Sequence, residues 1–131
     1  MRYYFVSLSM EKDNKKIVAV VGSRSVANCP TLLARLDALR AAGELDQVVS
    51  GGAAGVDTLA AGWARRAGVD LLELRPDYGT HGAAAPHVRN AEIVSRAGRV
   101  LLVWDGRSKG TLSAYRAARR PGRPCELLPL D

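Results

Sequence analysis

Two rhythms of apolar positions alternate along the chain. Ile17 to Val21 (IVAVV) is a short β-branched run closing on Gly22, the pattern of a buried strand. After Pro30, Leu32, Leu33, Leu36 and Leu39 recur at helical spacing, which predicts a helix to about Ala42 with Gly43 as its stop. Gln47 to Ser50 reads as a second strand, broken by Gly51-Gly52. Val56, Leu59, Ala60, Trp63, Ala64 and Ala67 share one face of a helix that starts near Gly55 and stops at Gly68. Val69 to Leu74 is a third strand, ended by Pro76. Residues 77–85 (DYGTHGAAA) have no clear period and read as a loop. A helix from about Pro86 to Ala97, a strand from Arg99 to Trp104 and a turn from Asp105 to Lys109 follow. A helix from Gly110 to Arg119 and a strand from Cys125 to Leu130, after the turn framed by Pro121 and Pro124, complete the series.

Strictly alternating strands and helices with short links predict an α/β fold with right-handed crossovers and helices on both faces of the sheet. The expectation is a Rossmann-like three-layer sandwich with a five-stranded, mainly parallel sheet. Residues 1–16 stand apart as an N-terminal extension, and 17–131 read as a single domain without repeats or linkers.

Composition narrows the function classes. A chain of 131 residues with 47% hydrophobic content can bury one core. Cys29 and Cys125 have no CxxC or histidine company, so they read as reduced apolar residues, with no disulfide framework and no metal site. No apolar run reaches the length of a membrane span, and the charged EKDNKK after MRYYFVSLSM is unlike a cleavage site. A cytoplasmic protein with no membrane partner is the expectation. The net charge of +6 invites anionic partners. Part of it sits at Arg116, Arg119, Arg120 and Arg123, which read as a solvated helix end rather than a nucleic-acid patch, since no aromatic residues interleave them.

In such sheets ligands bind beyond the carboxyl ends of the strands, where the strand order reverses. Four segments belong there: Gly22-Ser23-Arg24, the 50–57 turn, the 76–90 stretch and the 105–111 turn. All are rich in glycine, small hydroxyls or cations. The sharpest is Ser50-Gly51-Gly52-Ala53-Ala54-Gly55-Val56-Asp57, where glycines allow close backbone approach and a helix start offers free N–H groups. It matches neither G-x-G-x-x-G nor a Walker A loop, and Asp57 is equally at home as a helix cap. Ser108-Lys109-Gly110-Thr111 is a second candidate anion cradle, or a capped helix start with an exposed lysine. Arg24 and Arg89 suit phosphate, against a surface cation and an intrahelical ion pair respectively. Asn90, a poor helix-interior residue, suggests an amide in use. Asp105 completes the ligand-binding set. His81 and His87 read as solvent-exposed, Trp63 as core or interface, and Trp104 as core or a stacking face for a base. No catalytic residue and no cofactor is assigned.

Taken in order, Gly22-Ser23-Arg24, the 50–57 turn with Leu59-Ala60, Pro76, Arg89-Asn90, and Trp104 to Thr111 resemble the SLOG superfamily of Rossmann-like proteins, nearest its YspA/cpYpsA-related branch. The resemblance spans roughly residues 17 to 128. It implies a nucleotide or nucleotide-derived ligand over the glycine-rich turn, a sensor or binding module, a bacterial or phage setting, and homo-oligomers formed through helix faces. Two departures stand out. LOG-type hydrolases carry a glutamate at the end of Gly-Thr-x-x-Glu, whereas Gly110-Thr111 is followed here by Leu112, Ser113 and Ala114. The branch also tends to place a Gly-Pro pair before its Arg-Asn, and this chain reads Ala85-Pro86-His87-Val88. Ala114 tips the reading from an enzyme toward a binder. A nucleoside-monophosphate phosphoribohydrolase is the alternative, with Asp57 or Asp105 as its carboxylate, and DprA-like single-stranded DNA binding is the less favoured third.

Overall fold

The computed structural model describes residues 15–119 and 122–130. Most of the N-terminal extension, together with Arg120 and Pro121, lies outside them. The elements run β1 (Ile17–Gly22), α1 (Pro30–Ala41), β2 (Gln47–Ser50), α2 (Val56–Ala67) and β3 (Asp70–Glu73). Then come α3 (Tyr78–His81), a 3₁₀ turn (Gly82–Ala84), α4 (Ala85–Arg96), β4 (Arg99–Val103), α5 (Lys109–Arg119) and β5 (Cys125–Leu128). All pairings among the strands are parallel, in the order β3-β2-β1-β4-β5. The Rossmann-like α/β expectation therefore holds.

Strand side chains alternate, so each strand feeds both faces. Val18, Val20, Val48, Leu101 and Val103 pack with α1 and α2 through Leu32, Leu36, Val56 and Trp63. Ala19, Val21, Val49, Val100 and Leu102 pack with α4 and α5 through Ile93, Val94, Ala114 and Ala118. The chain steps one way from β1 to β3, then crosses to β4 on the other side of β1. The strand order thus reverses between β1 and β4, opening a crevice at their carboxyl ends.

The 77–85 stretch corrects the expected loop. It is helical, because the Asp77 carboxylate accepts from the Thr80 amide at 3.1 Å and its hydroxyl at 2.7 Å, closing a turn that leads into α4. The fifth strand stops at Leu128, short of the expected Leu130, since Pro129 has no N–H for the ladder. Trp63 is core, its ring N–H donating to Asp37 at 2.7 Å. Both cysteines are free. Among the described residues no helix is long and apolar enough to cross a membrane.

Candidate ligand-binding cleft

A cleft of about 430 Å³ occupies the crevice. β1 brings Gly22, the loop after it brings Arg24 and Ser25, and the turn after β2 brings Gly51, Ala53 and Asp57. Pro86, Arg89 and Asn90 come from α4, Asp105 and Ser108 from the turn after β4, and Gly110 and Thr111 from α5. Residues from the four expected segments therefore meet in one space.

The turn after β2 is shaped by what its glycines exclude. Gly55 has φ +74°, and a Cβ there would run into the carbonyls of Ser23 and Arg24, so the β1–α1 loop rests directly on this turn. At Gly51 a Cβ would stand 2.6 Å from Arg89 Nη1 and 3.0 Å from Asp57 Oδ2. Absence of a side chain lets a guanidinium and a carboxylate converge on the turn.

Arg89 is tied to the backbone. Its Nη1 donates to the carbonyls of Gly51 at 3.1 Å and Leu74 at 3.3 Å, and its Nε to Asn90 Oδ1 at 2.9 Å. Asn90 passes the restraint on, its Nδ2 donating to the Gly110 carbonyl at 3.3 Å. The intrahelical ion pair that was an alternative for Arg89 does not form, and the amide of Asn90 is in use. Burial lowers the Arg89 pKa, opposed by the Asp57 charge, with the charge of Arg24 lowering it further.

The two aspartates differ sharply. Asp57 is only 6% exposed, and burial pushes its carboxyl up to about 6, against the downward pull of the Ala53 amide and the Arg89 charge. Its Oδ2 accepts from the Ala53 amide at 3.1 Å, so the carboxylate braces the turn as well as opening the helix. Asp105 is held down to about 2, first by the Ser25 hydroxyl at 2.7 Å, then by the amides of Arg107 at 2.8 Å and Ser108 at 2.9 Å. Its own amide donates to Ser23 Oγ at 3.0 Å. Asp105 thus latches the loop after β1 to the turn after β4.

Some expected site residues lie outside the cleft walls. Ser23 is buried beneath them in the latch. Ser50 is buried with its hydroxyl unpartnered among the described residues. Gly52 faces away, toward Arg75 and Glu73, its carbonyl accepting from Arg75 at 3.2 Å. Gly55 packs on the β1–α1 loop, and Lys109 is exposed off the cleft. Trp104 lines a separate apolar cavity of about 220 Å³ with Leu102, Leu112, Tyr115 and Leu127, its ring N–H donating to the Ser108 carbonyl at 2.9 Å. His81 and His87 are exposed on helices, and His87 Nδ1 shares a hydrogen with Ser113 Oγ at 2.8 Å. Ala114 is fully buried in the core and does not line the cleft. Sequence reading passed over Ser25 and Ala53, although Ser25 adjoins Gly22-Ser23-Arg24 and Ala53 follows Gly51-Gly52. Among the described residues no group of three His, Cys, Asp or Glu could hold a metal ion.

Comparison with known proteins fits this arrangement. Residues 16–81 match the model of the YspA, cpYpsA-related SLOG family. That span includes β1, the loop carrying Arg24, and the turn carrying Gly51 and Asp57. Over 83 residues the chain is also 41% identical to the "Gene 61 protein" of Mycobacterium phage D29, covering 59% of this chain and 66% of that protein. The match thus spans just under two thirds of that relative's length.

Proposed function

The chain belongs to the YspA, cpYpsA-related SLOG family, and from that premise we propose that it binds a nucleotide or nucleotide-derived ligand in the cleft between β1 and β4, as a sensor or binding module. One observation carries the reading. Arg24 and Arg89, far apart in sequence, face the same cleft, and neither forms a salt bridge among the described residues. Two uncompensated guanidiniums in one crevice favour an anion, and their forked donors suit phosphate. Ser108 adds to this end of the site. Its Oγ accepts from the amide and hydroxyl of Thr111 at 3.3 and 3.1 Å, leaving its own hydrogen to donate. Gly110 and Thr111 stand at the start of α5, where unpaired N–H groups also favour negative charge. A cytoplasmic location suits such a ligand.

Isothermal titration with mono-, di- and cyclic nucleotides tests the reading. Binding to at least one is expected, weakened about tenfold or more in Arg24→Ala, the loss typical of one charged hydrogen bond. Arg24 is exposed and bonds nothing else among the described residues, so the variant's melting temperature should match the parent's. Absence of binding to every nucleotide, with the fold verified, refutes the proposal.

A second reading, cleavage of the bond between base and sugar, draws on Asp57. A carboxyl pushed up to about 6 inside a cleft can exchange a proton near neutrality. Base release from AMP or CMP, abolished in Asp57→Asn, would establish it. Intact nucleotide after prolonged incubation supports the binder.

A further inference from the structure

Accepting the cleft as a nucleotide site, we propose that the slot between Asp57 and Arg89 takes the vicinal hydroxyls of a ribose, so that the site selects ribonucleotides over deoxyribonucleotides and turns the phosphate toward Arg24 and Ser108. The slot is defined at Gly51, where a Cβ would stand 2.6 Å from Arg89 Nη1 and 3.0 Å from Asp57 Oδ2. A carboxylate and a guanidinium therefore flank one small space that a side chain at position 51 would fill.

Each flank keeps unused hydrogen-bonding capacity. The Asp57 carboxylate faces only loop amides, those of Ala53 and Gly51, and no side chain among the described residues donates to it. A carboxylate offers about four acceptor sites, so some remain for a ligand. Arg89 spends Nη1 on the Gly51 and Leu74 carbonyls and Nε on Asn90, while Nη2 bonds nothing among the described residues.

Charge decides what fits. A phosphate in the slot would meet a carboxylate within a few ångströms, in surroundings that screen poorly, and like charges there repel strongly. A hydroxyl pair is neutral and both donates and accepts. One hydroxyl can donate to Asp57 while its neighbour accepts from Arg89. An acidic residue receiving a ribose hydroxyl beside a glycine-rich turn is a known solution in dinucleotide-binding folds. Removing a hydroxyl leaves a buried carboxylate without its donor, and such a loss discriminates far better than a missing methylene.

The closing experiment is isothermal titration of the full chain with AMP, GMP, CMP and UMP against their 2′-deoxy counterparts, repeated with Asp57→Asn. In the parent protein the 2′-deoxy form of whichever nucleotide binds should be weaker by about tenfold or more. In Asp57→Asn the ratio should fall to within about twofold, because the amide can donate as well as accept and no longer requires a donor. Equal affinity of ribo and deoxy forms in the parent protein overturns the inference while leaving the nucleotide reading intact. Absence of binding to all eight overturns both. The parent ratio is decisive even if the variant folds poorly.

Discussion

Arg89 Nη1 donates to the carbonyl of Gly51 at 3.1 Å across 38 residues of sequence, and a Cβ on Gly51 would stand only 2.6 Å from that nitrogen. The hydrogen bond and the glycine are therefore one feature. Gly51→Ala should push Arg89 off the turn and cost about 1–3 kcal/mol, the range for an overpacked site. Urea denaturation checks the size. In an Arg89→Ala background the same change should cost distinctly less, because the two residues share the space. Equal penalties in both backgrounds would show that Gly51 does not act through Arg89.

Asp57 should make stability depend on pH in an unusual direction for a carboxylate. Its folded-state pKa lies above the unfolded value, at about 6. Its contribution is fully present below about pH 4 and is lost as pH rises through 6. The loss relative to Asp57→Asn should be on the order of 3 kcal/mol by pH 8. Melting curves of both proteins from pH 4 to 8 measure it, with the variant gaining on the parent as pH rises.

Asp105 supplies the contrast. Held down to about 2 by Ser25 and the amides of Arg107 and Ser108, it stays ionised throughout that range. Its pKa is depressed, so its contribution is present above the unfolded value and is lost only as pH falls toward 2. Asp105→Ala should leave the pH profile between 5 and 8 unchanged. It should also accelerate amide hydrogen exchange at Arg107 and Ser108, whose N–H groups lose their acceptor, and weaken nucleotide binding. Unchanged exchange at both amides would remove the latch.

Glu126 clamps the edge strand. Its carboxylate takes Arg35 Nε at 2.8 Å and Nη2 at 2.9 Å from α1, and Arg99 Nη1 at 2.6 Å from β4. The Arg35 hydrogen bond, with Arg99 adding to it, holds the Glu126 pKa below its ordinary value. Glu126→Ala should cost about 1–2 kcal/mol, the lower part of the charged-bond range because the site is partly wet. The penalty should shrink in high salt. Thermal denaturation at low and high ionic strength tests both statements.

Much of the fold was legible because its signals are local. The β-branched run from Ile17, the leucines of α1 and the small-residue face of α2 each state their period within about a dozen residues. The helical turn at Tyr78–His81 was missed because its residues are exposed and carry no apolar period. Its one signal was Asp77 three residues before Thr80, a capping pair. The four ligand segments were legible as segments, since glycine, hydroxyls and cations gathered after successive strands. Their individual aims were not. Gly51 and Gly52 are adjacent and identical, yet one faces the cleft and the other faces Arg75 and Glu73.

By itself the sequence determined the order of elements, the parallel α/β class and the edge of the sheet where a ligand belongs. Those follow from patterns that each segment carries within itself. Tertiary structure alone decided that Arg89 reaches Gly51, that Asp105 latches Ser25, that Trp104 leaves the cleft for a cavity of its own, and that Asp57 is buried enough to shift its proton affinity. Orientation and burial are set by neighbours distant in sequence, and only packing brings those neighbours within range.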